Sequence, residues 1–538
     1  MRDSCKYDKR RSIILFHDKT MKSRTIFSII IALLLLASCN DADEVADEVA
    51  EEVAEEECTP RLCGMTFRAA DNPRELVEDA MCSIVGDSVV ECWVRYVMDD
   101  KRLTPHLDFE GDGVFVEGTE LVSDVTKCDF SKPVRMVVRS DTLEKGYSVY
   151  VHAFTGLPIL WIETEDREDI TSKDEYLNAR FRIVEDVRTR GAGDVRELSG
   201  RIRGRGNTSW DMAPKKSYRL KLDREESLLG EPADDSWVLM ANYFDKTQLR
   251  NATAFYLGRI SRLEYTPRCH FVEVMLNGRY HGTYQLCEKL KVSKARVDVG
   301  DDGFLLEIDA KAGAADVTFR TGHIASPVSI KDPDVTEGDS DYAYVKDFVT
   351  VAERALYGDS LTDPQAGWQK YLDMDSFVDW YLINEIAKNN DAVFFSSCYM
   401  NLRRGGKLKM GPLWDFDIAF GNVNYNENYD VEGFWVQRAG WYGRLFRDPV
   451  FVARVKERLA FFCDHEDDIL NEINANVEYL RFSVIENNNR WGTLYTYTWP
   501  NNDIWGNYRN EVQYMKGWLH RRLEWMRSEI GKMDVDLN

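Results

Sequence analysis

Residues 384–421, NEIAKNNDAVFFSSCYMNLRRGGKLKMGPLWDFDIAFG, put acidic positions at the ends of regular elements and join them by a short turn. A helical pattern runs into the polar Lys388-Asn389-Asn390-Asp391. A basic, glycine-containing turn at Arg403–Lys409 follows, and an apolar strand-like segment then delivers Asp415 and Asp417. Two such ends joined by a hairpin can meet at one point. Three carboxylates gathered there suit Mg²⁺ and can accept a proton, which are the two demands of phosphoryl transfer. The plainer reading makes Asp391 a helix-terminal turn residue and WDFD an alternating strand with its polar face in water.

The chain of 538 residues is long enough for two or three domains with full cores. An apolar fraction of 44% and an aromatic fraction of 12% indicate globular structure. The formal charge is −23, and removal of residues 1–38, with 8 Lys/Arg and 3 Asp/Glu, leaves 61 minus 89, or −28. A surface that negative repels nucleic acid, so DNA and RNA are excluded as partners.

The N-terminus carries an address. Met21 is the better start, because Lys22 and Arg24 form a basic region and Ile26–Leu36 an apolar core too short for an ordinary membrane span. Leu36-Ala37-Ser38-Cys39 resembles a bacterial lipobox, so residues 1–39 read as a signal peptide with Cys39 as the lipid anchor. The expected location is the outer membrane, on its periplasmic or surface-exposed side. Residues 40–65 read as an acidic tether; positions 41–57 hold ten acids and no base, and they repel one another. Of eleven cysteines, Cys5 precedes the better start and Cys39 is the lipid site, which leaves nine and no CxxC. Cys58 can pair with Cys63, and Cys82 or Cys92 with Cys128, but spacing does not fix connectivity. A structural zinc site is disfavoured.

Residues 66–155 alternate in short runs separated by Gly, Asp and Pro, the pattern of a small β-sandwich of immunoglobulin-like size. Beyond it, Gly200-Arg201-Ile202-Arg203-Gly204-Arg205-Gly206 and the strand-like Pro214–Leu222 offer glycines and bases for an anion. No Walker A loop or GxGxxG is present, and a plain tight turn with exposed bases accounts for this motif equally. Asp245 stands where a helix cap is expected, ahead of a helical face at Leu249, Ala252, Phe255, Tyr256 and Ile260. Asn277-Gly278 between two alternating runs is a hairpin signal, with Glu288 after the second run. Gly303–Asp309 reads as a buried strand, Tyr344–Leu356 and Asp375–Lys388 as helices. The aromatic segment WGTLYTYTWPNNDIWGN reads as packing more than as a sugar platform.

In this order RGRGNTSW…PKKSYRLKLD, WVLMANYFDKTQLRN, FVEVMLNGRYHGTYQLCEKL, NEIAKNNDAVFFSSCYM, KLKMGPLWDFDIAFGN and WLHRRLEWM resemble the CotH (spore coat protein H) kinase family of atypical protein kinases. The resemblance spans about residues 160–530. It implies an α+β chain in which a small β-sandwich domain precedes a bilobal, protein-kinase-like domain with ATP between the lobes. It also implies transfer of the γ-phosphoryl of ATP, with Mg²⁺ or Mn²⁺, to Ser/Thr of cell-envelope or surface proteins. On that basis Arg205 and Lys216 contact phosphate, Glu288 orients the lysine or a metal, Asp391 is the catalytic carboxylate, and Asp415 and Asp417 hold the metal. One departure is Ser396, five residues after Asp391, where ordinary kinases carry a metal-binding Asn. The alternative is therefore an inactive surface scaffold or binding lipoprotein with a pseudokinase fold. A glycan-handling enzyme has no recognisable carboxylate pair, and a Ser-His hydrolase or zinc peptidase lacks GxSxG and HExxH.

Overall fold

The computed structural model describes residues 59–76, 78–94, 101–185 and 195–533. The signal segment, Cys39, the tether to residue 58 and thus Cys58 lie outside the described residues. Among the described residues ten strands make the first unit: β1 (Arg61–Phe67), β2 (Ala80–Val85), β3 (Val89–Val94), β4 (Arg102–Leu103), β5 (His106–Glu110), β6 (Gly113–Val116), β7 (Thr119–Glu120), β8 (Cys128–Asp129), β9 (Val134–Ser140) and β10 (Leu143–Ala153). The first strand starts inside the stretch expected to be tether, because Leu62 and Met65 find places in the core. Eight strands bond in the order β5-β1-β2-β3-β10-β9-β6-β7, and β4 pairs with β8. In β9 the alternation is visible residue by residue: Val134, Met136 and Val138 point inward and Arg135 and Arg139 outward. β3 and β10 run parallel, which a chain of simple hairpins does not produce.

The second unit opens with a closed barrel. Its strands are β11 (Ile159–Thr164), β12 (Leu177–Val184), β13 (Val195–Arg205), β14 (Ser217–Glu226), β15 (Asp234–Met240), β16 (Cys269–Leu276) and β17 (Arg279–Glu288). β17 lies between β15 and β16, and β11 closes the ring by running parallel to β16. Ile162, Phe181, Leu220, Trp237, Val274 and Leu286 are among the side chains that fill it. Asn277 and Gly278 make the two-residue turn of the last hairpin, both at positive φ (51° and 77°), as such a turn requires. α1 (Thr208–Met212) joins β13 to β14, and α2 (Arg250–Ile260) joins β15 to β16.

A five-stranded antiparallel sheet follows, from β18 (Phe304–Ile308), β19 (Thr318–Phe319), β20 (Val328–Asp332), β21 (Cys398–Leu402) and β22 (Leu408–Met410), in the order β19-β20-β18-β21-β22. The helices are α3 (Ser340–Tyr357), α4 (Met374–Ala387), α5 (Tyr442–Leu445), α6 (Pro449–Asp464), α7 (Glu466–Leu480), α8 (Ser483–Trp491) and α9 (Tyr508–Gly531). α4 is buried on every side from Ser376 to Ala387, so it is the axis of this half. Its two buried acids are paired. Arg458 donates twice to Asp379, at 2.8 Å each, and Arg522 donates to Glu385 at 2.7 Å. Glu385 also accepts the backbone N–H groups of Trp435, Val436 and Gln437, which pins the loop beyond the sheet to this helix.

The two units meet through Trp93, which stacks on Tyr280 at 3.9 Å between ring centroids, and through Ser83, which donates to the Gly278 carbonyl. Behind that contact Glu273 accepts from the Thr155 N–H (2.7 Å), the Thr155 hydroxyl (3.0 Å) and the Tyr280 hydroxyl (2.8 Å). Burial outweighs those donors and pushes its carboxyl up to about 7. A carboxyl raised in the fold contributes stability below the unfolded value near 4.5 and loses it as pH rises through about 7. The melting temperature of Glu273→Gln relative to wild type therefore shifts in the variant's favour between pH 5 and pH 8, by no more than ~3 kcal/mol of stability. A pH-independent difference between the two would show that Glu273 titrates as an ordinary carboxylate.

Candidate functional site

A cleft of about 470 Å³ lies where the connection between β13 and β14, the five-stranded sheet and the loops around α4 come together. A wider depression of about 730 Å³ on the barrel rim is lined by Glu163, Arg167, Asn178 and Arg180. Those groups pair among themselves and with Glu165, through Glu163–Arg167, Glu163–Arg180 and Asn178–Glu165 contacts.

Asp391, Asp415 and Asp417 all line the 470 Å³ cleft. Asp391 sits in a single 3-10 turn, Asn390–Ala392, just past the end of α4. Lys388 ends that helix in the left-handed conformation (φ 42°), and its ammonium is caged by the carbonyls of Glu427, Asp430 and Glu432. Asn390 donates to Asp391 Oδ1 at 2.9 Å. On the other side, residues 415–420 are held from four directions. Asn251 accepts the Phe416 N–H at 2.8 Å, Arg250 donates to the Ala419 carbonyl at 2.9 Å, Asn422 donates to the Asp417 carbonyl at 2.9 Å, and Phe420 donates to the Ala387 carbonyl at 2.8 Å. Arg250 is itself fully buried against Asp245. Asp415 has φ +64°, a left-handed conformation that a non-glycine residue keeps only when its surroundings enforce it.

Three cations face these acids: Arg205, Lys311 and Lys331 line the same cleft. Arg205 is the last residue of β13, opposite Ser217 of β14. Gly204 is required there because a Cβ would lie 2.2 Å from the Trp210 ring, and Gly206 because its φ is +102° and a Cβ would meet the Ser209 hydroxyl. Arg205 lies over the Trp414 ring at 5.4 Å, and Lys311 reaches the Thr208 hydroxyl at 3.4 Å. Lys331 bridges Asp316 at 3.2 Å and Glu307 at 3.5 Å.

The electrostatics record the crowding. Burial and then the neighbouring Asp415 raise the Asp391 carboxyl. Asp415 is open to solvent within the cleft yet surrounded by protein; burial raises it, while Arg205 and Lys311 pull the other way. Asp417 is raised well above the carboxylate range by burial and then by Asp415, Asp245 and Asp391. Burial pushes Glu307 up to about 7, opposed by Lys331 and reinforced by Asp309.

Two residues expected at the site stand elsewhere. Lys216 is not among the residues lining the cleft; its ammonium donates to the Trp210 carbonyl and lies over that ring. Its neighbour Lys215 points the opposite way, into the barrel wall, where it donates to Thr283 and Asn487. Glu288 is likewise outside the cleft. Its carboxylate is consumed by Arg268 at 2.6 and 2.9 Å, the Arg268 N–H and the Tyr265 hydroxyl, so it orients no lysine. Lys311 takes the place expected of Lys216. Lys311, Glu307, Asp309 and Lys331 were not read as functional from the sequence. The available signal was two acids at alternate positions, Glu307 and Asp309, ending an otherwise apolar strand and putting both on one face.

Three further expectations change. Ser396 donates to Asp309 Oδ1 at 2.8 Å and serves as a support for that acid. Asp245 is not the residue at the helix boundary; α2 begins at Arg250, and Asp245 reaches forward to accept the Arg250 N–H at 2.8 Å. The aromatic segment is not packed away, since Tyr495 is 66% and Trp499 41% exposed, and Trp499 stacks on Tyr425 at 5.7 Å on the wall of the cleft.

A family profile described as CotH kinase protein matches residues 202–526. The chain belongs to the CotH kinase family. The match begins inside β13, so β11 and β12, which complete the barrel, lie upstream of it. No curated protein matches the chain. A crystal structure described as "a putative glycoside hydrolase from Bacteroides thetaiotaomicron VPI-5482" is 14% identical over 48% of this chain and 71% of that one, with a TM-score of 0.16, too low to carry an argument.

The CotH domain's acidic wall has the donor chemistry for a hard divalent cation. Among the described residues no three His, Cys, Asp or Glu side chains form a ready metal cage. Mg²⁺ does not need one, since it takes one or two carboxylates and completes its shell with water and substrate phosphate. Mutually repelling Asp415 and Asp417 fit that role. Two outcomes follow from the geometry. Arg250→Ala leaves Asp245 buried without its partner and costs about 3–5 kcal/mol, read by chemical denaturation. Asp415→Asn removes a neighbouring charge, so the Asp391 carboxyl titrates at lower pH, read by carbon NMR of the labelled side chain.

Proposed function

We propose that this CotH domain binds ATP with Mg²⁺ or Mn²⁺ in the cleft and transfers the γ-phosphoryl to a Ser or Thr hydroxyl of a cell-envelope or surface protein. The observation that supports this is the convergence of Asp391, Asp415 and Asp417 on one cleft facing Arg205 and Lys311. Phosphoryl transfer needs positioning and charge neutralisation more than covalent chemistry, and these groups supply both. Arg205 and Lys311 meet the phosphate oxygens. Asp391, raised toward neutrality, takes the proton of the acceptor hydroxyl. Asp415 and Asp417 hold the divalent cation, which when bound neutralises charge on the phosphates. The Cys39 lipid and the acidic stretch after it tether the enzyme to the outer membrane, on its periplasmic or surface-exposed side.

The second reading is an inactive scaffold. Ser396 motivates it, because its hydroxyl is committed to Asp309 and the position of a second-metal ligand is thereby taken. Labelled ATP and a thermal melt separate the two. Wild type with Mg²⁺ or Mn²⁺ transfers label to itself or to a Ser-rich acceptor and melts higher with ATP. Asp391→Ala loses about 10²–10⁴-fold in transfer but keeps the ATP-induced rise, whereas Asp415→Asn loses the rise. A rise with no transfer in wild type means the scaffold; no rise and no transfer ends the nucleotide reading.

A further inference from the structure

Two pairs of cysteines face each other across antiparallel strands. Cys82 of β2 stands opposite Cys92 of β3, and Cys269 of β16 opposite Cys287 of β17. All the described cysteines are thiols in this structure. The Glu288 N–H donates to the Arg268 carbonyl at 3.1 Å. A ladder bond between the residues flanking Cys269 and Cys287 makes them a non-hydrogen-bonded pair, the closer of the two antiparallel spacings, with Cα atoms about 4.5 Å apart. A disulfide spans Cα separations of about 4.4–6.8 Å. Directly opposed residues project from the same face of the sheet, which puts the two side chains of each pair side by side. Each pair also joins a half-buried member, Cys82 or Cys269, to a buried one, Cys92 or Cys287.

No other described cysteine faces a second one: Cys63 is exposed at a register shift of β1 against β5. Cys128 is opposite Leu103, Cys398 opposite Ile308, and Cys463 lies on α6 against the Leu523 carbonyl. Spacing alone does not reveal the pairs, which are 10 and 18 residues apart and fit no CxxC pattern.

We propose that Cys82–Cys92 and Cys269–Cys287 are built as disulfide sites, closed by thiol–disulfide exchange with an external disulfide of the glutathione or thiol-oxidase class. The half-buried Cys82 or Cys269 attacks one sulfur of that reagent as the thiolate and releases the other half as a thiol. The buried partner then attacks the mixed disulfide and releases the second half. Two S–H bonds are lost, one S–S bond forms, and the reagent leaves as two thiols. The first crosslink staples the β2–β3 hairpin of the N-terminal unit. The second locks β16 to β17 immediately before Glu288, whose carboxylate gathers Arg268 and Tyr265 at the barrel end.

The test uses the full chain, purified without reductant, incubated with oxidised glutathione, denatured, alkylated and mapped by mass spectrometry without reduction. Peptides joined through Cys82–Cys92 and Cys269–Cys287 are expected, with Cys128, Cys398 and Cys463 alkylated. In Cys269→Ser, Cys287 becomes fully alkylated while the Cys82–Cys92 crosslink persists, and reductant lowers the melting temperature of this variant by less than it lowers that of wild type. Alkylation of all four cysteines in the oxidised wild-type chain overturns the proposal, as does a crosslink of Cys82 to Cys128. Loss of both crosslinks from the single variant overturns it too, since the pairs would then not be independent local sites.

Discussion

Like charges do not gather in a protein unless something holds them there. Burial and then Asp415 raise the Asp391 carboxyl, and burial, Asp415 and Asp391 raise that of Asp417, so both would sit more comfortably in water. What keeps them together is a set of buried polar clamps with no freedom to relax. Arg250 and Asp245 lock to each other and to the Ala419 carbonyl, Asn251 holds Phe416, and Glu385 with Arg522 fixes the helix from whose end Asp391 emerges. A buried ion pair adds little net stability compared with apolar packing, but breaking one is costly. That asymmetry makes such pairs suitable for fixing geometry, and here they fix the left-handed backbone at Asp415.

The barrel and the helical half contribute opposite charges to one place. The barrel sends out the end of β13, where Trp210 lies against Gly204, and Arg205 leaves from that strand end. The five-stranded sheet sends Glu307 and Asp309 from the end of β18 and Lys331 from β20. The helical half sends Asp391. No single element carries the cleft, so its chemistry depends on how the pieces are stacked. The Tyr425–Trp499 stack borders the same space and leaves apolar ring faces beside the acids, where water is more easily excluded.

Much of the architecture follows from patterns that local physics enforces. Asn277-Gly278 supplies two residues tolerant of positive φ, and the two-residue turn forms there. The helical runs expected over 344–356 and 375–388 appear as Ser340–Tyr357 and Met374–Ala387. The acids at 391, 415 and 417 share a cleft although none lies in a strand or α-helix: Asp391 sits in a 3-10 turn past α4, and the segment expected to be a strand carrying Asp415 and Asp417 is irregular chain beyond the end of β22 at Met410. Lys216 and Glu288 stand outside that cleft for a different reason. Both are polar residues beside strands, and sequence does not say which polar residue has an internal partner. Glu288 had Arg268 and Tyr265, twenty and twenty-three residues away, and Lys216 had a carbonyl six residues back. Lys311 has a long contact to Thr208, lies over the Phe395 ring at 5.7 Å, and faces the cleft.

The sequence by itself determined the element types, the tight turns, the acidic character of the chain and the family, because these depend on neighbours along the chain and on residue order. The tertiary structure alone decided which cation meets the acids, which cysteines face each other, and whether an aromatic segment is packed or displayed. Those are relations between residues tens to hundreds of positions apart. They are set by strand register and by the way a barrel, a sheet and a buried helix close on one another, and no local periodicity encodes such contacts.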